Sequence, residues 1–170
     1  MQFCNFAKSE IQGCVMSRLR VLGLMFVAAF INSNAAMAAS FTPLGTLSGC
    51  DVNPGYEYSH AYGVSADGSV VVGEGRSNPF GSEAFRWTSE GGMVGLGNSS
   101  YSSHAYGVSA DGSVVVGISN MGAFRWTNEG GMQSMASILT AAGVDLTGWS
   151  SGVAIGVSAD GQSIAGWGYN

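Results

Sequence analysis

The sequence repeats itself, and this repeat limits the folds open to the chain more than any other feature. The fifteen residues SHAYGVSADGSVVVG occur at 59–73 and again, without a change, at 103–117. A looser third copy, AIGVSADGQSIAG, occupies 154–166. The aspartates of the three copies, at 67, 111 and 160, are 44 and 49 residues apart. Periods of roughly 40 to 50 residues are typical of architectures in which one supersecondary unit stacks on the next.

Each copy carries the signals of short β-strands. An Ala-Asp-Gly turn precedes a run of three valines in the first two copies, and this pattern predicts a hairpin. Aspartate stabilises such a turn by bonding its own backbone, and glycine tolerates a positive φ. We therefore assign a structural role to the turn residues Asp67, Gly68, Asp111, Gly112, Asp160 and Gly161.

A second repeated element follows each of the first two hairpins. The sequence Ala-Phe-Arg-Trp-Thr stands at 84–88 and 123–127, and each is followed by Glu-Gly-Gly-Met. Strand alternation places Phe85 and Trp87 on one face and Arg86 on the other. We expect both Trp87 and Trp126 in the core. About four short strands per period is the content of a propeller blade.

The expected fold is all-β, made of propeller-like repeats with two full units and part of a third, at about 41–92, 93–131 and 132–170. A closed propeller needs at least about four blades. We therefore expect an open array, self-association or a longer parent protein. Met132, Met135, Leu139 and Ala142 have helical spacing and predict a short helix near 133–142, ended by Gly143. Its expected role is core filling, with partner binding as the alternative.

The N-terminal residues predict export. Arg18 and Arg20 precede the apolar run VLGLMFVAAFI at 21–31, and Ala-Met-Ala at 36–38 fits a cleavage site. We predict a signal peptide at 1–38, cleaved between Ala38 and Ala39, and a β-repeat domain at 39–170. The apolar run is shorter than the roughly 20 residues that span a bilayer. Residues 1–15 are interpreted as an over-extended start.

The charge of the predicted mature segment excludes two partner classes. Residues 39–170 contain three arginines, no lysine and ten acidic residues, a formal charge of −7. Binding of nucleic acid or of an anionic membrane surface needs a cationic patch, which this composition does not supply. Membrane insertion of this segment is likewise not expected. Cys50 is its only cysteine, so no intrachain disulfide supports the fold.

The sequence predicts no catalytic residue, no cofactor and no metal. Gly-Val-Ser-Ala-Asp-Gly is one residue out of register with a G-x-S-x-G nucleophile elbow and recurs three times. Each turn offers one carboxylate, whereas calcium takes six to eight oxygens. His60 and His104 are repeat-equivalent, so we expect them some ten ångströms or more apart, each bonding its hairpin to the next unit.

Aromatic residues are the only binding-type feature. Four of them lie outside the tightly repeated segments and are candidates for an exposed sugar-binding or protein-binding surface, with interior packing as the alternative: Tyr56, Tyr58, Tyr101 and Trp149.

The repeated motifs together resemble the extracellular HAF repeat family of bacteria. The residues that carry the resemblance are GVSADGSVVVG, AFRWT and EGGM, and LTAAGVDLTGW at 139–149 is similar to the segment that closes such arrays. The resemblance covers about 41–170 and implies an exported or surface protein of a Gram-negative bacterium, whose relatives often carry an autotransporter barrel. The histidine that often precedes Ala-Phe in the family is Glu83 in one copy and Gly122 in the other.

From these observations we expect an exported, non-enzymatic repeat module, secreted or on the cell surface, that acts as an autotransporter-like passenger. Its expected partners are an extracellular sugar or protein, or further copies of itself. The alternatives are a hydrolase of extracellular polysaccharide and a non-functional gene fragment. A hydrolase would need two acidic residues about 5 to 10 Å apart across a cleft.

Overall fold

The computed structural model describes residues 40–47, 57–78, 81–97 and 102–170. The predicted signal peptide with its cleavage residues, Ala38 and Ala39, lies outside these ranges, as do Cys50, Tyr56 and Tyr101.

The described residues form three antiparallel sheets, which confirms the all-β fold. The first sheet contains β1 (Ser59–Val64), β2 (Val70–Asn78), β3 (Gly81–Thr88) and β4 (Gly92–Gly95), in that order. The second repeats this arrangement with β5 (His104–Val108), β6 (Val114–Ser119), β7 (Gly122–Thr127) and β8 (Gly131–Ser134). The third consists of β9 (Ser150–Val157) and β10 (Ile164–Tyr169).

The sheets pack face to face, and the valine runs explain why. Val70 and Val72 point to one face of the first sheet and Val71 to the other, and all three are buried. On the first face they join a core cluster with Val115 and Phe124 of the second sheet. An equivalent cluster joins the second and third sheets through Val114, Val116, Ala123 and Ala154.

The outer face of the first sheet is covered by the segment at 40–47. Leu44 and Leu47 pack there against Val71 and Phe85, with Trp87 partly buried beside them. Phe85 and Trp87 thus share a face, as strand alternation predicts, whereas the Arg86 Nε donates a 3.4 Å hydrogen bond to the Gly112 carbonyl of the second sheet.

One short helix, α1 (Met135–Ala141), follows β8 in the described part of the chain. It begins later than predicted because Gln133 and Ser134 belong to β8. None of its residues is fully buried, and Met135 packs, partly buried, against the cluster between the second and third sheets. No helix within the described ranges has the length and apolar character needed to cross a membrane.

Candidate functional site

The repeated turns are self-contained hydrogen-bonded loops. In the first loop, Asp67 Oδ1 accepts hydrogen bonds from the Ser69 amide at 3.0 Å, the Ser65 hydroxyl at 2.7 Å and the Ser69 hydroxyl at 2.8 Å. These bonds, that of the Ser69 amide first, lower the pKa of Asp67 to about 2. The Ser65 hydroxyl in turn accepts the Val70 amide at 3.0 Å. Both side chains are therefore committed to the turn.

The other two loops have the same geometry. Ser109 donates to Asp111 at 2.6 Å and lowers the pKa of that carboxyl to about 2. Ser158 donates to Asp160 at 2.5 Å and lowers its pKa as well. No group of three or more His, Cys, Asp or Glu in the described ranges is arranged to hold a metal ion.

Backbone bonds link the three loops across the sheets. The Ala66 amide donates to the Ala110 carbonyl and the Ala110 amide to the Ala159 carbonyl, both at 3.0 Å. Gly112 has a φ of +71° and lies so close to Val70 that a Cβ there would overlap its side chain. This glycine therefore has two roles: it allows the positive φ of the turn, and it leaves room for the Val70 side chain of the neighbouring sheet. The predicted structural residues form a continuous line along the molecule.

A different cluster forms where the first and second sheets meet, and Glu74 is at its centre. Glu74 lies on β2 and is 8% exposed. Its carboxylate contacts His60, which is directly opposite on β1, at 3.0 Å to Nδ1, and the Tyr62 hydroxyl at 2.8 Å. The second oxygen contacts Nδ1 of His104 on β5, in the neighbouring sheet. These four residues are called the Glu74 cluster.

The electrostatics of the cluster favour an ionised carboxylate. Burial raises the pKa of Glu74, but the hydrogen bonds from His104, His60 and Tyr62 outweigh it and lower the pKa to about 2. An ionised carboxylate only accepts hydrogen bonds, so both Nδ1 atoms and the Tyr62 hydroxyl must donate. Burial and the bond to Glu74 raise the pKa of Tyr62, so that its hydroxyl stays protonated.

Five rings around this carboxylate form a continuous surface, which we call the aromatic strip: Tyr58, His60, Tyr62, Tyr106 and His104. Successive ring centroids are separated by 5.2, 6.3, 5.4 and 6.2 Å, and the rings of His104 and Tyr106 are stacked. Tyr62 is 47% exposed and the other four rings are partly exposed.

Strand alternation explains how the strip forms. His60 and Tyr62 are two residues apart on β1, as are His104 and Tyr106 on β5, so the two side chains of each pair point to the same face. A β-bulge lies at the same place in both strands, since the register shifts between Ala61 and Gly63 in β1 and between Ala105 and Gly107 in β5.

The prediction that His60 and His104 lie about ten ångströms or more apart is wrong. Both contact one carboxylate, because face-to-face packing brings β5 against β1 and β2. His104 does bond across a junction, but to the preceding sheet rather than to the next one as predicted, and the bond from His60 to Glu74 lies within its own sheet. Sequence reasoning missed Glu74 itself. The available signal was its position directly after an identical repeat, where the second copy has Ile118.

The candidate aromatic residues do not converge. Tyr58 lies at one end of the aromatic strip, 5.2 Å from the ring of His60. Trp149 is 59% exposed and lies beside α1, at a groove near the third sheet. Tyr56 and Tyr101 fall outside the described ranges.

The two non-repeated acids that are buried within the described ranges, Glu74 and Glu83, point away from each other. Glu74 lies opposite Ala84 in the ladder between β2 and β3, and Glu83 lies opposite Gly75. Residues opposite each other share a face and neighbours along a strand do not, so Glu74 and Glu83 point to opposite faces of the first sheet. A glycosidase needs both carboxylates on one cleft.

Comparison with known proteins adds no relative: this chain has no significant match among protein-family models, curated proteins or solved structures.

Proposed function

We propose that this chain is an exported, non-enzymatic binding module whose aromatic strip binds a neutral carbohydrate. The observation that carries the proposal is the Glu74 cluster, in which one buried carboxylate fixes His60, Tyr62 and His104 in a single surface. Glu74 lies outside the repeat, whereas the histidine and tyrosine side chains that it contacts occur in both identical copies.

The chemistry of the strip suits a sugar. Tyrosine and histidine rings offer flat apolar faces with polar tips, which match the C–H faces and hydroxyl edges of a pyranose. Hydrogen bonds to Glu74 hold these rings in place before binding, which reduces the side-chain entropy lost when a ligand is bound. A neutral ligand is favoured because the predicted mature segment has a formal charge of −7.

The same geometry argues against the hydrolase alternative. A catalytic acid needs a raised pKa, whereas hydrogen bonds lower the pKa of Glu74 to about 2. The carboxylate already accepts from three donors, and Glu83 points to the opposite face. The serines of the motif are bonded within their own loops. These arrangements favour a rigid binding surface.

The proposal also covers the architecture of the repeats and the cellular location of the protein. We regard each four-stranded sheet as a propeller-like blade, supported by the shared order β1 to β4 and β5 to β8 and by the bonds between the repeated loops. The motif succession supports a relation to HAF repeats and a place as an autotransporter-like passenger. Export is supported by the leader sequence at 1–38.

Affinity gel electrophoresis tests this function. The purified protein is run in native gels that contain galactomannan, glucomannan or dextran. We expect retardation by at least one of them, and loss of that retardation in Tyr62→Ala and Tyr106→Ala, because each removes a stacking surface. Tyr169→Ala is the matched control, since Tyr169 is an exposed tyrosine on β10 outside the strip. Equal retardation of all three variants would contradict the proposal.

A second variant separates binding from folding. Tyr62→Phe keeps the ring and removes the hydroxyl that donates to Glu74. If the ring stacks on the sugar, most of the retardation should remain. Release of reducing ends from any of the three polysaccharides would instead favour the hydrolase.

A further inference from the structure

The two identical copies of Ser-His-Ala-Tyr-Gly have different neighbours on their own sheets. In the first copy, His60 lies opposite Glu74 in the ladder between β1 and β2. In the second copy, His104 lies opposite Ile118 in the ladder between β5 and β6. Both copies therefore supply the same histidine and tyrosine, but at this position only the first has a carboxylate on its own sheet.

This difference changes what the two tyrosine hydroxyls can do. The Tyr62 hydroxyl donates to Glu74 at 2.8 Å, so its proton is used within the protein. The Tyr106 hydroxyl has no hydrogen-bond partner among the described residues, and it is not sealed from solvent. Burial and the nearby charge of Glu74 raise the pKa of Tyr106, so its hydroxyl keeps its proton. Tyr106 thus presents a donor to a ligand, whereas Tyr62 does not.

The ring of His104 supplies a complementary acceptor. Its Nδ1 donates to the ionised carboxylate of Glu74 on the first sheet. A neutral imidazole carries one N–H, so its Nε2 is then an acceptor. The His104 side chain is 29% exposed, and Nε2 has no hydrogen-bond partner among the described residues. The bond to Glu74 therefore determines which ring nitrogen of His104 remains for a ligand.

The donor and the acceptor lie side by side on β5. The rings of His104 and Tyr106 are nearly parallel, at 7°, and their centroids are 6.2 Å apart. The ring of Tyr62 is 5.4 Å from that of Tyr106. One sugar residue on the aromatic strip can therefore stack on Tyr62 and reach the polar atoms of both β5 side chains.

We propose that His104 and Tyr106 select a sugar residue by two of its unsubstituted hydroxyl groups. One sugar hydroxyl donates to Nε2 of His104, and another accepts from the hydroxyl of Tyr106, while Tyr62 contributes its ring face. A site that hydrogen-bonds a hydroxyl rejects an analogue that lacks it, because the polar groups of the site are then left unpaired. The ligand class is a neutral glycan with free hydroxyls, as opposed to one that is O-acetylated or O-methylated. This inference rests on the carbohydrate proposal and adds its specificity.

Matched substitution of the two tyrosines tests the assignment. Tyr62→Phe and Tyr106→Phe each remove one hydroxyl from the same position of the repeat and keep the ring. Affinity gels with increasing galactomannan, glucomannan or dextran give dissociation constants, at about pH 8, where histidine rings are ordinarily neutral. Tyr106→Phe should raise the dissociation constant about fivefold, the usual effect of losing one hydrogen bond between neutral groups.

Tyr62→Phe should have a smaller effect, because the hydroxyl that it removes bonds Glu74 and not the ligand. Tyr169→Phe, at an exposed tyrosine on β10 outside the strip, is the control and should leave the dissociation constant unchanged. Circular dichroism checks that all three variants keep the strand content of the parent. An equal or larger effect of Tyr62→Phe, or unchanged affinity in a folded Tyr106→Phe variant, would overturn the assignment and leave the carbohydrate proposal standing. Absence of retardation of the parent by all three polysaccharides would overturn both.

Methylation of the polysaccharide tests the ligand side of the same contact. Methyl ethers keep the C–H faces and the acceptor oxygens of a sugar but remove the donors that His104 requires. Each polysaccharide that retards the parent should therefore retard it less after O-methylation. Equal retardation by the unmodified and the methylated polymer would show that ring stacking alone holds the sugar, which would overturn the proposed recognition of hydroxyl groups.

Discussion

The two junctions between sheets have the same backbone arrangement, but different side chains meet across them. At the first junction, between the first and second sheets, an apolar cluster lies beside the buried Glu74 and its two histidines. At the second junction, between the second and third sheets, the position of Glu74 is Ile118 and that of His104 is Val153. A polar pair across one junction therefore corresponds to an apolar pair across the other.

This difference distinguishes the contacts that stack the sheets from the contacts that form the Glu74 cluster. Loop bonds link both junctions at the same 3.0 Å, from Ala66 to Ala110 and from Ala110 to Ala159. The repeated residues are sufficient to stack one sheet on the next. A buried carboxylate is costly without donors, so its presence at one junction alone indicates a local role rather than a requirement of stacking.

The largest expected effect is a loss of core packing at the first junction. Phe124 is fully buried there, so Phe124→Ala should lower the free energy of unfolding by about 3–5 kcal/mol. Ile164 at the second junction is only partly buried, and Ile164→Ala should cost less than about 2 kcal/mol because part of its side chain is already in water. Urea unfolding followed by circular dichroism measures both. Equal losses would show that the junctions are packed alike.

Conversion of one junction into the other comes next. Glu74→Ile leaves His60, Tyr62 and His104 without their shared acceptor and should cost about 2 kcal/mol. Adding His104→Val reproduces the apolar pair of the second junction and should recover about 1 kcal/mol. A double-mutant cycle in urea gives this coupling, with Ile118→Val as a control for a small change at the second junction. Strict additivity of the two substitutions would contradict the direct contact.

Acid should weaken the first junction selectively. The pKa of Glu74 is lowered to about 2 in the folded protein, from an ordinary value of 4.5. Its stabilising contribution is therefore complete above pH 4.5 and is lost as the pH falls toward 2. Urea midpoints from pH 7 to pH 2 should fall more steeply for the parent than for Glu74→Gln. The loop aspartates also lose their contribution at acid pH, but they do so in both proteins. Parallel curves would rule out the proposed role of the Glu74 charge.

The smallest effect compares two equivalent serines. Ser109 is buried, and its hydroxyl both donates to Asp111 and accepts the Val114 amide. Ser109→Ala should cost about 1–2 kcal/mol because that buried amide loses its partner. Ser158→Ala removes the same bonds from a more exposed loop and should cost about 0.5 kcal/mol or less. Thermal unfolding of the two variants gives the comparison, and a reversed order would mean that burial does not set the loop energetics.

Much of the fold follows from the repeat. The Asp-Gly turns, the valine runs and the Phe85 and Trp87 alternation are local patterns, and they place hairpins correctly because turn chemistry and strand period act over a few residues. The helix was less predictable. Met132 fits the helical spacing, yet it lies on β8 and packs in the first core cluster, so tertiary contacts override the periodicity there.

The candidate site could be predicted only in part from the sequence. The repeat shows that His60 and His104 are equivalent, but equivalence alone suggests separation rather than convergence. Their meeting depends on the angle and distance at which one sheet packs on the next, and on a carboxylate that the repeat does not contain. Tyr62 joins them because it lies two residues from His60 on β1 and therefore points to the same face.

The sequence by itself determined an all-β repeat with Asp-Gly turns, because turn chemistry and strand period act over a few residues. Only the tertiary structure decided which residues meet across the sheets. It placed Glu74 among His60, Tyr62 and His104. The physical reason is that strand propensity and turn chemistry act locally, whereas the burial and the pKa of a side chain depend on what packs against it from elsewhere in the chain.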